Sequence, residues 1–402
     1  MNQSRQLAAA GLMAIAVAFG FARYGYGLFV PAFRDAFDLS TEALGFIAAG
    51  AYASYLVALL VTGALVARVG PRLPVVIGGL SAAGGMAMIA LAGDTPMLVA
   101  GVLLAATSPG WSWAPFSDAV ARMIGPESRS RTLSIITTGT TFGILVAGPA
   151  ALVAGGAWRG AWIAFAVVAL AVTAWNALLL PAGPHGRGSE EGRSALPELR
   201  WQWFIGPRSV RLFAVAVLFG FTGTVYWTYA VDLVSRAGGF PASAGPLFWT
   251  TVGIAGIAGV ATGDVISRLG LRRSLVATLA ALGVATGILG AAPSSWVALG
   301  ISAALFGSSF MALSAILVNW TSTVFPGQPG TGFSATQVFL AVGTITGPAL
   351  MGIVAGRFGM ETAFIVTALL ALLTALVRPG EEAHSASQEG SARTGENREK
   401  NR

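Results

Sequence analysis

The chain has 402 residues, of which 55% are hydrophobic and 10% are charged, with a formal net charge of +7 and a mean hydropathy of +0.72. Soluble domains carry about 25% charged residues, so this composition excludes an ordinary soluble protein and indicates a protein of the lipid bilayer. The sequence contains no cysteine, which excludes disulfides, thiol catalysis and cysteine metal sites.

Twelve mainly apolar stretches follow one another along the chain, and each is close to the length of about 20 residues that crosses a bilayer as a helix. The first is long and lacks a small-residue cleavage site, so we expect a retained helix and not a signal peptide. The stretches lie at 8–32, 43–66, 74–92, 97–120, 132–154, 161–181, 210–233, 246–266, 274–292, 296–319, 333–356 and 361–378. The sequence therefore predicts an all-α membrane protein with twelve transmembrane helices.

The two halves of the chain repeat one another at an offset of 200 residues. The matches are Phe19-Gly20-Phe21 and Tyr26 with Phe219-Gly220-Phe221 and Tyr226, then Gly63, Arg68, Gly70 and Arg72 with Gly263, Arg268, Gly270 and Arg272, then Pro126 with Pro326 and Gly143 with Gly343. A period this long indicates duplicated halves and not a solenoid. We therefore predict two pseudo-symmetric six-helix bundles at 1–181 and 208–379, a polar linker at 182–207 and a disordered tail at 380–402.

Basic residues are distributed unequally between the two sides of the membrane. When the connections are counted alternately, 19 basic residues fall on one side, Arg34, Arg159, Arg236 and Arg357 fall on the other, and Arg23 lies inside the first stretch. The positive-inside bias places the richer side in the cytoplasm. We expect a multi-pass protein of the bacterial inner membrane with cytoplasmic termini, linker and tail, and no nucleic-acid partner. The linker segment Arg200-Trp201-Gln202-Trp203-Phe204 suits the depth of the lipid headgroups.

The duplicated loops resemble those of a known family. The stretch from Gly63 through Arg68 and Gly70 to Arg72 resembles the loop between helices two and three of the major facilitator superfamily, and the matching stretch from Gly263 and Asp264 through Arg268 and Gly270 to Arg272 resembles the loop between helices eight and nine. Residues 21–31 further resemble the YbfB-like bacterial branch. The resemblance implies two bundles related by an axis along the membrane normal, and secondary transport by alternating access with proton coupling.

The loops also depart from the family pattern. The acidic residue expected before the loop arginine is Ala67 in the first half and Ser267 in the second, which puts the usual gating salt bridge in doubt. Asp264 lies four residues before Arg268, so the two can meet on one helix face and take over part of this role.

Glycine and proline are concentrated in the fifth and eleventh stretches. Gly143, Gly148 and Pro149 have counterparts in Gly343, Gly347 and Pro348. Small residues let helices approach closely in lipid, so we interpret these positions as tight packing with a proline kink. A further possibility is that these helices rock against each other at the interface between the halves.

Arg23 lies inside a predicted transmembrane helix, where insertion scales make an arginine unfavourable by about 2.5–3.5 kcal/mol. We expect it to face an aqueous cavity or a partner. One interpretation is contact with an anionic substrate through the planar donor fork; the other is a fixed ion pair, snorkelling or bonds to backbone carbonyls. The equivalent position of the second half is Gly223.

Aromatic residues are the next candidates. Tyr26 shares a helix face with Arg23, and in the resembling family helices one, four, seven and ten line the central cavity. Each aromatic residue has plain packing as its alternative, but together they suggest a site for a small anion with an apolar or aromatic body. The further candidates are Trp111, Trp113, Tyr226, Trp227 and Tyr229.

Proton coupling needs a titratable group near the cavity, and few carboxylates fall within the apolar stretches. Asp232 ends the seventh stretch after Tyr229 and is the first candidate. Asp118 is the second, although Arg122 lies four residues on and favours a structural pair.

The sequence thus predicts a monomeric secondary transporter, a symporter or antiporter for a small organic solute, most simply an organic anion. An efflux antiporter for hydrophobic or drug-like compounds, with Arg23 structural, is the alternative; a transport-like receptor or a lipid-translocating protein is a third class. The sequence has no nucleotide-binding glycine-rich lysine motif and no histidine or cysteine cluster. We therefore expect no enzymatic activity, no cofactor and no metal.

Overall fold

A computed structural model describes residues 3–183, 205–326 and 328–377. Every regular element of this part is helical. We label twelve consecutive helices α1 to α12: Gln3–Phe37, Thr41–Val69, Arg72–Leu91, Thr95–Met123, Pro126–Ala154, Trp158–Leu179, Pro207–Arg236, 244–269, 271–291, Trp296–Val324, Pro329–Phe358 and Met360–Thr374.

Within the described residues, 10 helical stretches are long and apolar enough to cross a membrane. One of these, Ala244–Ala291, comprises both α8 and α9, because Gly270 between them has a non-helical backbone. Helix α12 is apolar but has only 15 residues, about 22 Å of helix. The all-helical membrane fold predicted from the sequence is confirmed, and the order of the helices fits twelve crossings.

Short polar residues and glycines determine where the helices begin and end. Ser40 caps α2 by accepting a hydrogen bond from the Ala43 amide at 3.1 Å, which satisfies a donor that the helix itself leaves unpaired. Gly70 ends α2 and Gly270 ends α8, and φ is 78° at both, a value that favours glycine. The duplicated loop therefore makes the same turn in both halves.

Equivalent helices pack together in the two halves. Helix α3 lies against α6 as α9 lies against α12, α2 against α4 as α8 against α10, and α1 against α5 as α7 against α11. The last of these contacts depends on glycine, because a side chain at Gly20 would collide with the backbone of Gly143, and one at Gly220 with that of Leu340. The two six-helix bundles thus share one internal plan, as the repeat predicted.

The bundles contact each other mainly through α1 with α7, α2 with α11 and α5 with α8. We call the face that carries the α1–α2 and α11–α12 connections the Arg-poor face, and the face that carries the Gly70 and Gly270 turns the Arg-rich face. The close contacts between bundles lie towards the Arg-poor face. They include Gly45 of α2 against Pro348 of α11, and Gly148 of α5 against Thr250 of α8.

Positions near the Arg-rich face are less crowded. A side chain added at Gly63 or at Gly263 would meet no atom within 4 Å, and Arg68 and Arg268 are exposed. In the described part of the molecule, the close glycine contacts between the bundles therefore lie towards the Arg-poor face.

Some predictions fall on residues outside the described ranges. These are most of the linker at 182–207, its aromatic segment Arg200-Trp201-Gln202-Trp203-Phe204, and the tail at 380–402.

Candidate functional site

Arg23 lies at the end of an unusual segment of α1. Residues Ala16–Arg23 form a π-helix, and the Tyr24 amide donates to the Phe19 carbonyl, five residues earlier, at 2.9 Å. Such segments are rare and often occur at functional sites. The corresponding part of α7 belongs to the α-helix Pro207–Arg236. The two halves therefore differ in backbone as well as in sequence where Arg23 lies.

Four aromatic rings surround the Arg23 guanidinium, and we call them the aromatic cage. Measured from Arg23 Cζ to the ring centres, the distances are 4.1 Å to Tyr55, 4.9 Å to Tyr52, 5.6 Å to Phe19 and 5.7 Å to Tyr24. All four rings are buried or nearly so. The negative face of an aromatic ring attracts a cation at these distances, so the cage partly compensates the half-buried charge of Arg23.

None of the described carboxylates forms an ion pair with Arg23, since Asp232 and Asp118 pair with other arginines. Its Nε atom is buried and has no hydrogen-bond acceptor among the described residues. A buried donor atom without an acceptor is unfavourable. The geometry thus lacks the fixed ion pair that was one interpretation of Arg23.

A small cavity of about 10 Å³ lies beside Arg23, roughly the space of one water. Helices α1, α2, α4 and α7 contribute to it, so both bundles take part. Apart from Arg23, its lining is neutral. The lining residues are Arg23, Tyr24, Tyr26, Gly27, Ala48, Ala51, Tyr52, Ala106, Trp227 and Thr228.

The α7 side of this cavity carries two hydrogen-bonding groups that are unused. Trp227 Nε1 and Thr228 Oγ1 are both buried without a hydrogen-bond partner in the described part of the chain. The Trp227 ring packs on Tyr24 of the aromatic cage, with ring centres 4.4 Å apart. Polar groups from both bundles therefore converge on one small space.

A bidentate ion pair joins the bundles near the Arg-poor face. Arg34 of α1 donates from Nη2 to Asp232 Oδ2 at 2.5 Å and from Nε to Oδ1 at 3.1 Å. It also donates to the Leu39 carbonyl at 2.9 Å and to the Thr41 hydroxyl at 3.2 Å. Two parallel charge-assisted bonds are the strong arrangement for arginine and carboxylate. We call this contact the α1–α7 ion pair.

The α1–α7 ion pair changes the interpretation of Asp232. The sequence predicted a carboxylate that reaches the cavity, but the Asp232 side chain is 1% exposed and does not line it. Arg34 lies in the last turn of α1 and faces α7, so it pairs with Asp232 from the other bundle. A role of Asp232 in coupling stays a prediction.

Tyr229 strengthens the same closure. Its hydroxyl donates to the Pro348 carbonyl of α11 at 2.7 Å. A side chain at Gly45 of α2 would collide with both of these groups. Tyr229 thus helps to hold α2, α7 and α11 together and does not line the cavity.

The structure brings some of the other predicted aromatic residues to the site. Tyr26 and Trp227 line the cavity, although the Tyr26 hydroxyl is used by a bond to the Leu44 carbonyl at 2.8 Å. Trp113 packs edge-on against the cage ring of Phe19, with ring centres 5.9 Å apart.

Two further aromatic candidates lie elsewhere. Tyr226 stacks on Phe306 with ring centres 3.6 Å apart, and its hydroxyl shares a hydrogen bond of 2.7 Å with Ser302. Trp111 packs against Gly78 of α3. Both residues contribute to packing inside their own bundle, which was the alternative for each.

The predicted loop contacts are only partly formed. Arg72 donates from Nε to the Leu180 carbonyl at 2.6 Å, which links α3 to the end of α6. Asp264 and Arg268 are both exposed and form no ion pair with each other. At the end of α4, Asp118 and Arg122 do pair, at 2.8 Å.

The glycines predicted as packing sites divide between two interfaces. Side chains at Gly143, Gly343 and Gly347 would collide with α1 or α7 of the same bundle. Gly148, before Pro149, lies instead against α8 of the other bundle.

Sequence reasoning missed Tyr24, Tyr52, Tyr55, Thr228 and Arg34. Tyr52 and Tyr55 are three residues apart, so they share a face of α2. The chain has only 6 tyrosines, and three of them form the aromatic cage. This clustering was not visible because α2 is not one of the helices that line the cavity in the resembling family.

Comparison with known proteins shows which family the chain belongs to and which transporters it resembles. Residues 12–286 and 250–397 match the family model described as Major Facilitator Superfamily. The chain is 31% identical over 236 residues to monocarboxylate transporter 11 of Homo sapiens, a match that covers 58% of this chain and 49%, about half, of that relative's length. It is 21% identical over 293 residues to the purine ribonucleoside efflux pump NepI of Shigella dysenteriae, covering 72% of this chain and 73% of the pump.

Solved structures share the fold. A bacterial homolog of the human lysosomal transporter Spinster, in an inward-facing and unoccupied conformation, aligns with a TM-score of 0.74 at 14% identity over 93% of this chain and 96% of its own. The nucleoside transporter NupG aligns with a TM-score of 0.76 at 14% identity over 93% and 98%. With a family model matched along most of its length and this fold, the chain belongs to the Major Facilitator Superfamily of membrane transporters.

Proposed function

We propose that this protein is a secondary transporter that moves a small organic anion across the bacterial inner membrane by alternating access, with Arg23 binding the anionic group. The observation that carries the proposal is a guanidinium inside a transmembrane helix that has no carboxylate partner among the described residues and lies beside a cavity lined by both bundles. A charge at this depth is costly and commonly marks a substrate pathway.

Arg23 gains energy when an anion replaces its contacts with the rings of the aromatic cage. Each ring face offers Arg23 about 0.5–2 kcal/mol, and the buried Nε donor still has no acceptor among the described residues. A carboxylate accepts two parallel charge-assisted bonds, which are stronger and directional. An arriving anion therefore replaces weak contacts to Tyr52 and Tyr55 by stronger ones, and it needs these rings to move because the cavity is small.

The proposed transport cycle follows from the unequal packing of the two faces. The excess of basic residues supports a cytoplasmic location for the Arg-rich face, and the crowded inter-bundle glycines near the other face support a conformation that opens to the cytoplasm. Rocking of the two bundles about the site would break the contacts at the Arg-poor face and form new ones at the other. The α1–α7 ion pair is one of the contacts that must break.

Coupling to protons is proposed through Asp232. Its carboxylate receives two bonds from Arg34 across the bundle interface, and protonation would remove the charge that holds them. Protonation of one buried group would thus favour opening of the Arg-poor face. The curated relatives act on chemically different solutes, as their names show, so the nature of the substrate has to come from the site itself.

The test is uptake and efflux in proteoliposomes with a panel of small carboxylates and lipophilic cations. We expect transport of one or more carboxylates, and a loss of at least about 30-fold in apparent affinity for Arg23→Gln, because a charged partner of the anion is removed. Arg23→Lys should keep part of the activity, since it keeps the charge and loses the planar fork.

Arg236→Gln is the matched control, because Arg236 is an exposed arginine at the end of α7. It should transport as the wild type does. Undiminished carboxylate transport by Arg23→Gln would overturn the proposal. Transport of lipophilic cations alone would instead support the efflux of hydrophobic compounds.

A further inference from the structure

We propose that Trp227 and Thr228 of α7 form a carboxylate subsite together with Arg23 of α1, and that the ligand of this subsite is a small organic monoanion. The inference rests on the proposed function. It adds binding groups from the second bundle and defines the charge of the substrate.

Thr228 is the first observation. Its side chain is buried, and its hydroxyl has no partner in the described part of the chain. A threonine hydroxyl in a helix usually bonds to the carbonyl four residues earlier, as Thr224 does with Gly220 at 2.7 Å in the same helix. Thr228 makes no such bond although it lines the cavity, so its hydroxyl is available to a ligand.

The second observation is that unused polar atoms from both bundles meet at one cavity. Arg23 Nε, Trp227 Nε1 and Thr228 Oγ1 are three buried polar atoms without hydrogen-bond partners among the described residues, and their residues line the same cavity. All three can donate a hydrogen bond, and two of them belong to the opposite bundle from Arg23. An ionised carboxylate is acceptor-only and offers two oxygens with about four lone-pair sites. It is therefore the group that satisfies donors arriving from two sides.

The charge of the lining restricts the ligand further. Among the described residues that line the cavity, Arg23 is the only charged one, and the remaining surface is aromatic, alanine, glycine or threonine. One guanidinium compensates one negative charge. A dicarboxylate or a doubly charged phosphate would leave a second charge buried and unpaired, which is strongly unfavourable. Ala48, Ala51 and Ala106 provide apolar surface for the body of a monoanion.

The subsite also connects ligand binding to the movement of the bundles. Because Arg23 and Thr228 lie on different bundles, a carboxylate that bonds to both stabilises the states in which α1 and α7 are close. Ligand binding would thus favour an arrangement with the bundles drawn together around the site.

The experiment is calorimetric titration of the detergent-purified full-length protein with acetate, butyrate, benzoate, phthalate and benzamide. We expect at least one of the three monoanions to bind. Phthalate, with two charges, and benzamide, a neutral analogue of benzoate, should bind at least about tenfold more weakly than benzoate. Thr228→Val and Trp227→Phe should each weaken monoanion binding about tenfold or more, because each removes a donor to a charged acceptor.

Two further variants serve as controls. Thr228→Ser keeps the hydroxyl and should bind within about threefold of the wild type. Thr222→Val should leave binding unchanged, because Thr222 is buried in the same helix but donates to the Leu218 carbonyl at 2.9 Å. Thr228→Ala carries the same expectation as Thr228→Val if the valine variant does not fold.

The outcomes separate this inference from the proposed function. If Arg23→Gln loses monoanion binding while Thr228→Val and Trp227→Phe bind as the wild type, the subsite is wrong and the anion transporter stands. Tighter binding of phthalate than of benzoate would overturn the monoanion assignment alone. Wild-type binding by Arg23→Gln, or no binding of any monoanion, would overturn both.

Discussion

Two charged groups inside this protein, Asp232 and Arg23, are stabilised in different ways, and the difference supports the proposal that one serves closure and the other binding. Asp232 is fully enclosed and receives two bonds from Arg34, so its interactions are complete within the protein. Arg23 is surrounded by rings and keeps an unused donor. A satisfied pair holds a conformation, whereas an unsatisfied cation gains most from a ligand.

The first prediction concerns Asp232→Asn. Removing one partner of a buried pair costs about 3–5 kcal/mol, so the contact between α1 and α7 should weaken and the Arg-poor face should open more often. The chain has no cysteine, so Ala48→Cys can report opening. Ala48 is 1% exposed, and its labelling by a membrane-impermeant maleimide from the periplasm should accelerate at least about tenfold in the Asp232→Asn background.

Asp35→Asn is the control for this measurement, because Asp35 is an exposed carboxylate of the same α1 segment. Equal labelling rates in the wild type and in Asp232→Asn would show that the α1–α7 ion pair does not hold the face closed. The same variant should also lose accumulation driven by a pH gradient while it keeps solute exchange. Retained accumulation would remove Asp232 as the coupling group.

At the scale of the helices, the interface between bundles depends on how closely backbones approach. Gly27 of α1 lies against the carbonyl oxygen of Trp227, and Gly45 of α2 against that of Pro348. Lipid provides no hydrophobic force between helices, so close packing through small residues contributes much of the stability. Apolar periodicity predicts where such helices run, but it does not show which glycine faces a neighbouring backbone.

The second prediction concerns the α1–α7 crossing, where Gly27 of α1 lies against Trp227 of α7. In Gly27→Ala the added methyl group would overlap the Trp227 carbonyl oxygen, and α1 and α7 must separate to admit it. Overpacking of this kind costs about 1–3 kcal/mol. We expect the variant to unfold at a temperature several degrees lower, measured by intrinsic fluorescence of the purified protein.

Gly63→Ala is the matched control, since Gly63 also lies in a helix but a methyl group there meets no atom within 4 Å. The free energy of unfolding of this variant should lie within about 0.5 kcal/mol of the wild-type value. Equal destabilisation by both substitutions would mean that general helix effects, and not the α1–α7 crossing, determine the result.

At the scale of the whole molecule, the close glycine contacts between the bundles lie towards one face. The pairs α2–α11 and α5–α8 are equivalent under the repeat, so the proposed movement is a tilt of the two bundles about a common axis that leaves their internal packing unchanged. Rigid-body rocking of two repeats is a known mode of transport for such folds.

The third prediction is that distances at the two faces change in opposite directions. Spin labels on Gly63→Cys and Gly263→Cys report the Arg-rich face, and labels on Asp38→Cys and Gly239→Cys report the Arg-poor face. In the Asp232→Asn background we expect the first distance to shorten and the second to lengthen, measured by double electron–electron resonance.

A pair within one bundle provides the control. The distance between labels on Gly63→Cys and Gly93→Cys should stay constant, because both positions belong to the first bundle. Lengthening of all three distances would indicate loosening of the fold and would contradict rigid-body rocking.

The sequence by itself determined the membrane location, the helices, the duplication into two bundles and the presence of one arginine, Arg23, inside a transmembrane stretch. These follow from composition, from apolar runs of bilayer length and from the cost of one charge in lipid, all of which are local properties of the chain. Only the tertiary structure decided the partners of these residues. Arg34 and Asp232 are 198 positions apart, and the aromatic cage draws on α1 and α2. Which side chains meet depends on the rotation of each helix and on the π-helical segment Ala16–Arg23. Both change the direction of a side chain without changing the hydrophobic pattern of the sequence.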